Sequence, residues 1–143
     1  MPIYKTVKAV ERLYRELDAE QAKVRKSAHL SCPSGCVKCC LGKNVSAAPL
    51  EFLPYAYAQY KAGMLEDRYW AFKDAHQEGC LLLDYDPLTQ KGKCGAYQNR
   101  GLVCRLFGAS SQTDKNGKRA YIGCTILKEE LKTIKEELGM TTD

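Results

Sequence analysis

Eight cysteines and only two histidines carry the chemistry that this sequence offers. Four of the cysteines fall within residues 32–40, which read Cys-Pro-Ser-Gly-Cys-Val-Lys-Cys-Cys. Cys36 and Cys39 are separated by two residues, a spacing that lets one turn bring two sulfurs to a single metal ion. Thiolates are soft ligands, which favour zinc or iron–sulfur clusters over magnesium, calcium or manganese. The run therefore predicts a thiolate metal site.

The other cysteines extend this prediction to the rest of the chain. Adjacent side chains diverge in helices and strands, so we expect Cys39 and Cys40 to bind different metals or different irons of one cluster. Single cysteines cannot build a site alone, so we expect the remaining four to return to the run. All eight are predicted metal ligands: Cys32, Cys36, Cys39, Cys40, Cys80, Cys94, Cys104 and Cys124. They suit two four-cysteine sites, or one cluster plus a structural zinc; the best candidates for one cluster are Cys36, Cys39, Cys40 and Cys104.

The N-terminal sequence indicates a reducing compartment. No apolar stretch follows Met1 that would form the core of a secretion signal. Thiols of a cytoplasmic protein stay reduced, so they bind metals more often than they form disulfides. An even number of cysteines also permits a disulfide framework. No stretch approaches the ~20 apolar residues that cross a bilayer. We expect a cytoplasmic protein with no membrane segment.

Charge and the remaining motifs argue against several function classes. The formal net charge of +5 comes from 22 Lys and Arg against 17 Asp and Glu. The basic residues are dispersed, and many have acidic neighbours three or four positions away on predicted helices, which disfavours nucleic-acid binding. His29 and His76 assemble no catalytic triad, and no glycine-rich phosphate loop is present. The sequence thus identifies no enzymatic reaction.

A single domain of residues 1–143 with an α+β, helix-rich fold is predicted to position the cysteines. Residues 3–28 form an amphipathic helix whose apolar or neutral positions alternate four and three apart. That face consists of Ile3, Val7, Val10, Tyr14, Leu17, Gln21, Val24 and Ala28. It suits packing within the domain or a short self-association seam between two copies, and Gln21 interrupts the seam. The helix should stop at residues 31–33, because proline disfavours helical geometry in the residue before it.

Shorter elements are predicted to follow. One helix starts after Pro49, is delayed or kinked by Pro54 and ends at Gly63; the next covers residues 66–78 and is closed by Gly79. Their expected core side chains are Leu50, Leu53, Tyr57, Tyr60, Tyr69, Trp70 and Phe72. Two short β-hairpins come next, with arms at residues 81–83 and 93–97, and at residues 110–113 and 119–122. A last helix begins near Thr125 and places on one face Leu127, Leu131, Ile134 and Leu138, with Gly139 after it.

The cysteine pattern resembles the bacterial cysteine-cluster family that is named for its CxxCxxCC motif and described as a zinc- or iron-chelating domain. Three segments agree besides the run: Cys-Leu-Leu-Leu-Asp at 80–84, Lys-Cys-Gly-Ala-Tyr at 93–97 and Arg-Gly-Leu-Val-Cys-Arg-Leu-Phe at 100–107. The resemblance covers residues 32–124. The chain departs from the pattern in having three residues between Cys32 and Cys36, and in having Gly101 and Gly108 where the family usually has proline.

The resemblance implies a cofactor. Family members are commonly described as iron–sulfur proteins, so an iron–sulfur cluster of the 4Fe-4S type is expected, with zinc as the alternative. Arg100 and Arg105, which flank Cys104, are predicted cofactor-binding residues that offset thiolate charge and donate hydrogen bonds to sulfur. Bacterial flagellin lysine N-methylases carry a related cysteine cluster. The resemblance therefore implies an accessory role in electron transfer or protein modification. Such a role requires a protein partner or a redox partner. The alternative is a zinc-stabilised structural or partner-binding module without catalysis.

Overall fold

The fold comes from a computed structural model that describes residues 2–42, 45–76, 78–108 and 110–137. Within these residues it has five α-helices and two antiparallel hairpins, so the α+β, helix-rich prediction is confirmed. The α-helices are α1 (Ile3–Ser27), α2 (Leu53–Lys61), α3 (Leu65–Lys73), α4 (Leu102–Leu106) and α5 (Thr125–Glu137). The strands are β1 (Leu83–Asp86), β2 (Lys91–Cys94), β3 (Ser110–Thr113) and β4 (Arg119–Ile122). Short 3₁₀ helices span Pro49–Phe52 and Tyr97–Asn99.

Helices α2 and α4 pack on the long helix α1. Its predicted face is buried at the middle, where Val7 and Tyr14 are the buried residues, and it contacts α2 and α4. The helix ends at Ser27, before the predicted stop at residues 31–33. The chain turns there because His29 adopts a left-handed conformation with φ of 53° and the Leu30 amide donates to the Arg25 carbonyl at 2.9 Å. In the described part of the chain, no helix combines the length and the apolar character that a membrane crossing requires.

The prolines and glycine around α2 act largely as predicted. Pro49 opens a 3₁₀ helix, and Pro54 lies in the first turn of α2, so the α-helix starts later than Pro49. Gly63, with φ of 70°, follows the end of α2. Helix α3 ends at Lys73, several residues before the predicted end near residue 78. Gly79 therefore does not close this helix.

The expected aromatic core of α2 and α3 is wrong for several residues. Tyr60, Tyr69 and Trp70 are 65%, 58% and 48% exposed, and Leu50 is also exposed. Helix α3 packs against α2, and its outer face stays exposed at Tyr69 and Trp70. The Tyr69 and Trp70 rings instead contact each other edge to face, and the Lys73 Nζ lies 4.7 Å from the Trp70 ring centre.

Both predicted hairpins are present. Strands β1 and β2 pair with Leu83 opposite Cys94, and they extend into the segment expected to be a long turn. Strands β3 and β4 match the predicted arms, and the Asp114 carboxylate accepts bonds from the Asn116 and Lys118 amides in the turn between them. Helix α5 begins at Thr125 as predicted and buries Leu127; Leu138 and Gly139 lie outside the described residues.

Few apolar side chains are fully shielded from solvent in this fold. Among the described residues, the buried hydrophobic side chains are Val7, Tyr14, Leu30, Val37 and Leu127. Val37 belongs to the cysteine run and contacts the β1–β2 hairpin, since a Cβ on Gly92 would lie 3.2 Å from its side chain. The cysteine loop is thus packed into the domain by an apolar residue of its own.

Candidate metal centre

Four cysteines lie on the wall of one cavity of about 450 Å³. They come from three parts of the chain: Cys39, Cys40, Cys80 and Cys104. Most of the remaining wall is apolar and includes Val45, Ala47, Phe52, Val103 and Phe107. The eight cysteines all lie within the described residues, and no disulfide joins any two of them. An apolar wall that carries thiols suits a soft metal centre, because it lowers the local dielectric constant and limits access of water.

Gly79 lies in the cavity wall, where it permits the close approach of two segments that are distant in sequence. The Cys80 amide donates to the Cys40 carbonyl at 2.8 Å. Gly79 has φ of 88°, and a Cβ at this position would lie only 2.7 Å from the Cys40 oxygen. Only glycine permits this approach without displacing the backbone. The sequence predicts that Gly79 closes a helix, whereas the structure places it beside the cavity. Its position directly before Cys80 is the sequence signal for that role.

The side chains of Cys39 and Cys40 were expected to diverge, but they lie close together. Their Sγ atoms lie 3.9 Å apart, because the chain makes a turn in which the Cys40 amide donates to the Val37 carbonyl at 2.8 Å. The two thiols therefore share a hydrogen bond. That bond lowers the pKa of Cys39 to about 6 and raises the pKa of Cys40.

Cys104 is carried by α4, a short helix whose first turn is fixed from outside. The Glu51 carboxylate accepts from the Ala48 amide at 2.8 Å and from the Val103 amide at 2.9 Å. It thereby joins the start of one helical segment to the start of α4, where a negative charge is favourable. Partial burial raises the pKa of Cys104, and the nearby thiols of Cys80 and Cys94 act in the same direction.

Of the two predicted cofactor-binding arginines, Arg105 lies in α4 and Arg100 lies just before it, and both bind Asp18 of α1. Arg105 is 3% exposed. Its guanidinium pairs with Asp18 and donates to the carbonyls of Arg100 and Gln98 at 3.2 and 2.7 Å. Arg100 donates to Asp18 at 2.8 Å and to the Tyr97 carbonyl at 2.9 Å. These bonds fix the segment around Cys104 on α1; a bond from either arginine to sulfur stays a prediction.

The other cysteines lie near those of the cavity or near one another. Burial raises the pKa of Cys32, and the thiols of Cys36, Cys39 and Cys124 add to this effect. Cys94, at the end of β2, acts on the pKa of Cys40. Within the described residues, no three His, Cys, Asp or Glu side chains already converge as a metal-ligand group. The two histidines, His29 and His76, are exposed.

Residues 31–125 match the family model CxxCxxCC, whose description reads "Putative zinc- or iron-chelating domain". The match covers well over half of the chain and includes all eight cysteines. The chain belongs to the CxxCxxCC family. No curated protein and no solved structure matches it. Membership of the CxxCxxCC family supports metal binding by a cysteine-rich module and agrees with the thiol-lined cavity.

Proposed function

We propose that the protein binds an iron–sulfur cluster at the thiol-lined cavity. The observation that carries the proposal is the cavity itself, whose volume of about 450 Å³ offers space to a group larger than one ion. Cysteines from the cysteine run, from the segment before β1 and from α4 line this space. Cysteine thiolates are the ordinary ligands of such clusters, and an apolar surround tunes their reduction potential.

The position of the cavity supports the proposal of an accessory redox role. Cys39 and Cys104 are both exposed residues, so a cluster that they border would lie near the protein surface. Electrons could then pass to a bound partner without crossing the domain. We propose that a protein partner docks at this side, and that the cluster serves electron transfer or the modification of that partner.

A zinc-stabilised module is the second candidate, and one distance favours it. The Sγ atoms of Cys39 and Cys40 are 3.9 Å apart. Two thiolates on one zinc ion lie roughly 3.8 Å apart, given Zn–S bonds of ~2.3 Å in a tetrahedral site. Zinc would be bound with no redox role, and the domain would serve structure or partner binding.

Metal and sulfide analysis of protein purified without oxygen separates the two candidates. The cluster predicts iron, acid-labile sulfide and a broad visible absorption that dithionite bleaches. Cys104→Ser should reduce the absorption strongly, while the matched variant Ser34→Ala, in the cysteine run but with no thiol removed, should keep it. Two zinc ions per chain with no acid-labile sulfide would exclude the cluster.

A further inference from the structure

A second cavity, of about 580 Å³, is lined by the β3–β4 hairpin and by α5. It has no lining residue in common with the thiol-lined cavity. We propose that this basic cavity binds a small molecule that carries two or more linked phosphate groups, such as a nucleoside diphosphate. The inference is independent of the proposed function, because it involves neither the thiols nor a metal.

The wall of the basic cavity concentrates positive charge. Five basic side chains against two acidic ones give it a net charge of +3, compared with a formal +5 for the whole protein. The hairpin and the helix each contribute to this set, so distant segments bring the charges together. A concave surface with one predominant sign of charge attracts ions of the other sign. The basic residues are Lys118, Arg119, Lys128, Lys132 and Lys135, and the acidic residues are Asp114 and Glu129.

The basic side chains of this wall are exposed and available to a ligand. Among the described residues, the one ion pair that involves them joins Lys132 to Glu136 at 3.8 Å. Both partners are more than half exposed, so this pair contributes little and a ligand can replace it. Asp114 is held in the hairpin turn, because its carboxylate accepts from the Asn116 and Lys118 amides at 2.8 and 2.9 Å. Most of the positive charge thus has no acidic partner within the described ranges.

Helix α5 sets three of the lysines in a row. Lys128, Lys132 and Lys135 are spaced four and three residues apart, which places them along one face of the helix. At ~1.5 Å per residue, this row extends about 10 Å along the helix axis. A row of this length suits two or three linked phosphate groups better than a single one.

The hairpin supplies a second wall whose position is fixed. Arg119 pairs with Thr113 in the β3–β4 ladder, and its guanidinium can bind phosphate oxygens through two parallel N–H donors. Tyr121 lies two residues later, on the same face of the strand. Its hydroxyl donates to the Gly108 carbonyl at 3.0 Å, which holds the ring in place. With Leu131 of α5, this ring offers an apolar surface to the rest of the ligand.

Phosphate chemistry matches this cavity better than other anions do. At pH 7 a phosphate monoester carries about −1.5 to −2 charges. An acidic peptide has one charge per residue, spaced by about 3.3 Å of extended chain. Five cations around one concave space match the denser charge. The volume also lies within the range of pockets that hold small molecules, which favours such a ligand over a nucleic-acid chain.

Isothermal titration calorimetry on the full-length, metal-loaded protein tests the proposal, with ADP, inorganic pyrophosphate and adenosine as probes. We expect ADP and pyrophosphate to bind, ADP the more tightly, and adenosine to give no measurable binding. Binding of ADP should weaken as the salt concentration rises, because salt screens charge attraction. Absence of binding by both phosphate probes overturns the proposal, as does adenosine binding as tightly as ADP.

Two further probes test the macromolecular alternatives. A glutamate-rich peptide and a short single-stranded oligonucleotide should each bind more weakly than ADP under the same conditions. Tighter binding of the peptide would identify the cavity as a docking site for an acidic protein segment. Tighter binding of the oligonucleotide would identify a nucleic-acid site. Either result overturns the assignment to a small molecule.

Substitutions locate the binding, since phosphates could also contact the metal. Lys128→Gln and Arg119→Gln should each weaken ADP binding about tenfold, the loss expected when one charge-assisted hydrogen bond is removed. Both side chains are exposed, so the fold should tolerate the changes. Glu129→Gln should tighten binding, because a repelling carboxylate in the wall becomes neutral.

Lys93→Gln is the matched control. Lys93 lies on β2, its side chain is 79% exposed, and it does not line the basic cavity. This variant has the same net charge as Lys128→Gln and should bind ADP like the wild type. Equal losses of affinity in the two variants would show attraction to the overall charge of the protein and overturn the site.

Discussion

Asp18 of α1 and Arg105 of α4 form an ion pair that links the longest helix to the helix carrying Cys104. Arg105 is 3% exposed and also lies over the Tyr14 ring, 4.3 Å from its centre. Asp18 accepts a second bond from Arg100 at 2.8 Å. One carboxylate therefore fixes both arginines that flank Cys104. These arginines are predicted cofactor-binding residues, and the structure shows how they position the segment that bears a candidate ligand.

Asp18→Asn should destabilise the protein by about 2–3 kcal/mol, because it removes the charge that compensates a buried guanidinium. Asp18 is itself 39% exposed, so water offsets part of the loss. Urea unfolding of metal-loaded protein measures the change. Glu20→Gln is the matched control on the same helix, since its pair with Lys23 is exposed on both sides and contributes little. Equal stability of the two variants would contradict the role given to Asp18.

Glu51→Gln should weaken metal binding more than it weakens the fold. The change removes the negative charge at the start of α4 and one of two accepted amide bonds, at a cost of about 1 kcal/mol. Because Cys104 follows Val103, loosening this turn should move a candidate ligand in the cavity wall. Chelator competition measures the affinity, and Glu66→Gln in the first turn of α3 is the control. An unchanged affinity in Glu51→Gln would show that α4 is held without this cap.

Gly101→Ala should destabilise the fold by about 1–3 kcal/mol through a steric clash. Gly101 has φ of −65°, which proline could adopt, but a Cβ would lie 2.8 Å from the Phe52 ring. The absence of a side chain at Gly101 thus makes room for Phe52. Adding Phe52→Ala should remove the clash, so the double variant should be less destabilised than the sum of the single variants. Additive effects in thermal unfolding would contradict this explanation.

Local signals explain which parts of the fold could be predicted. The alternating pattern of residues 3–28 and the Asn116-Gly117 turn depend on neighbouring residues only, and the observed α1 and the β3–β4 hairpin agree with them. The exposed aromatic residues of α3 could not be predicted, because their burial depends on whether another element covers that face. Short helix α4 was missed for a similar reason: its first turn depends on Glu51, which is distant in sequence.

Some features of the candidate site can likewise be predicted from local sequence, and others depend on contacts between distant segments. The spacing of Cys36, Cys39 and Cys40 indicated a thiolate site without further structure. Which single cysteine joins which part of the run depends on contacts such as the bond from the Cys80 amide to the Cys40 carbonyl. Gly79 is needed only because that carbonyl approaches it. No spacing rule within one segment contains this information.

Tyr14 gives a prediction for alkaline pH. Burial raises the pKa of Tyr14 above its ordinary value of 10.0, and its hydroxyl donates to the Glu51 carbonyl at 2.7 Å. Tyr14→Phe should cost about 1 kcal/mol near pH 8. The folded protein holds the phenol proton more tightly than the unfolded chain, so this stabilisation is complete below pH ~10 and is lost as the pH rises through the folded-state pKa.

Urea unfolding between pH 8 and pH 11 measures this effect. The stability difference between wild type and Tyr14→Phe should shrink above pH ~10. Tyr60→Phe serves as the control because Tyr60 is 65% exposed, and it should follow the wild type throughout. A difference that stays constant over this range would contradict a raised pKa for Tyr14.

Metal removal should loosen the domain reversibly, starting at the cysteine-bearing segments. Few hydrophobic side chains are buried among the described residues, so apolar packing between the chain segments contributes little to stability. The fold therefore depends on other links between these segments. Binding free energy of a structural metal adds directly to folding free energy, because the unfolded chain has no preformed site. Hydrogen exchange should therefore accelerate in residues 32–40 and in the β1–β2 hairpin of chelator-treated protein, and less in α1, which packs on α2 and α4. Adding the metal back should restore protection from exchange. Protein treated with chelator that is already saturated with metal is the control. An unchanged exchange pattern in metal-free protein would show that apolar packing alone maintains the fold.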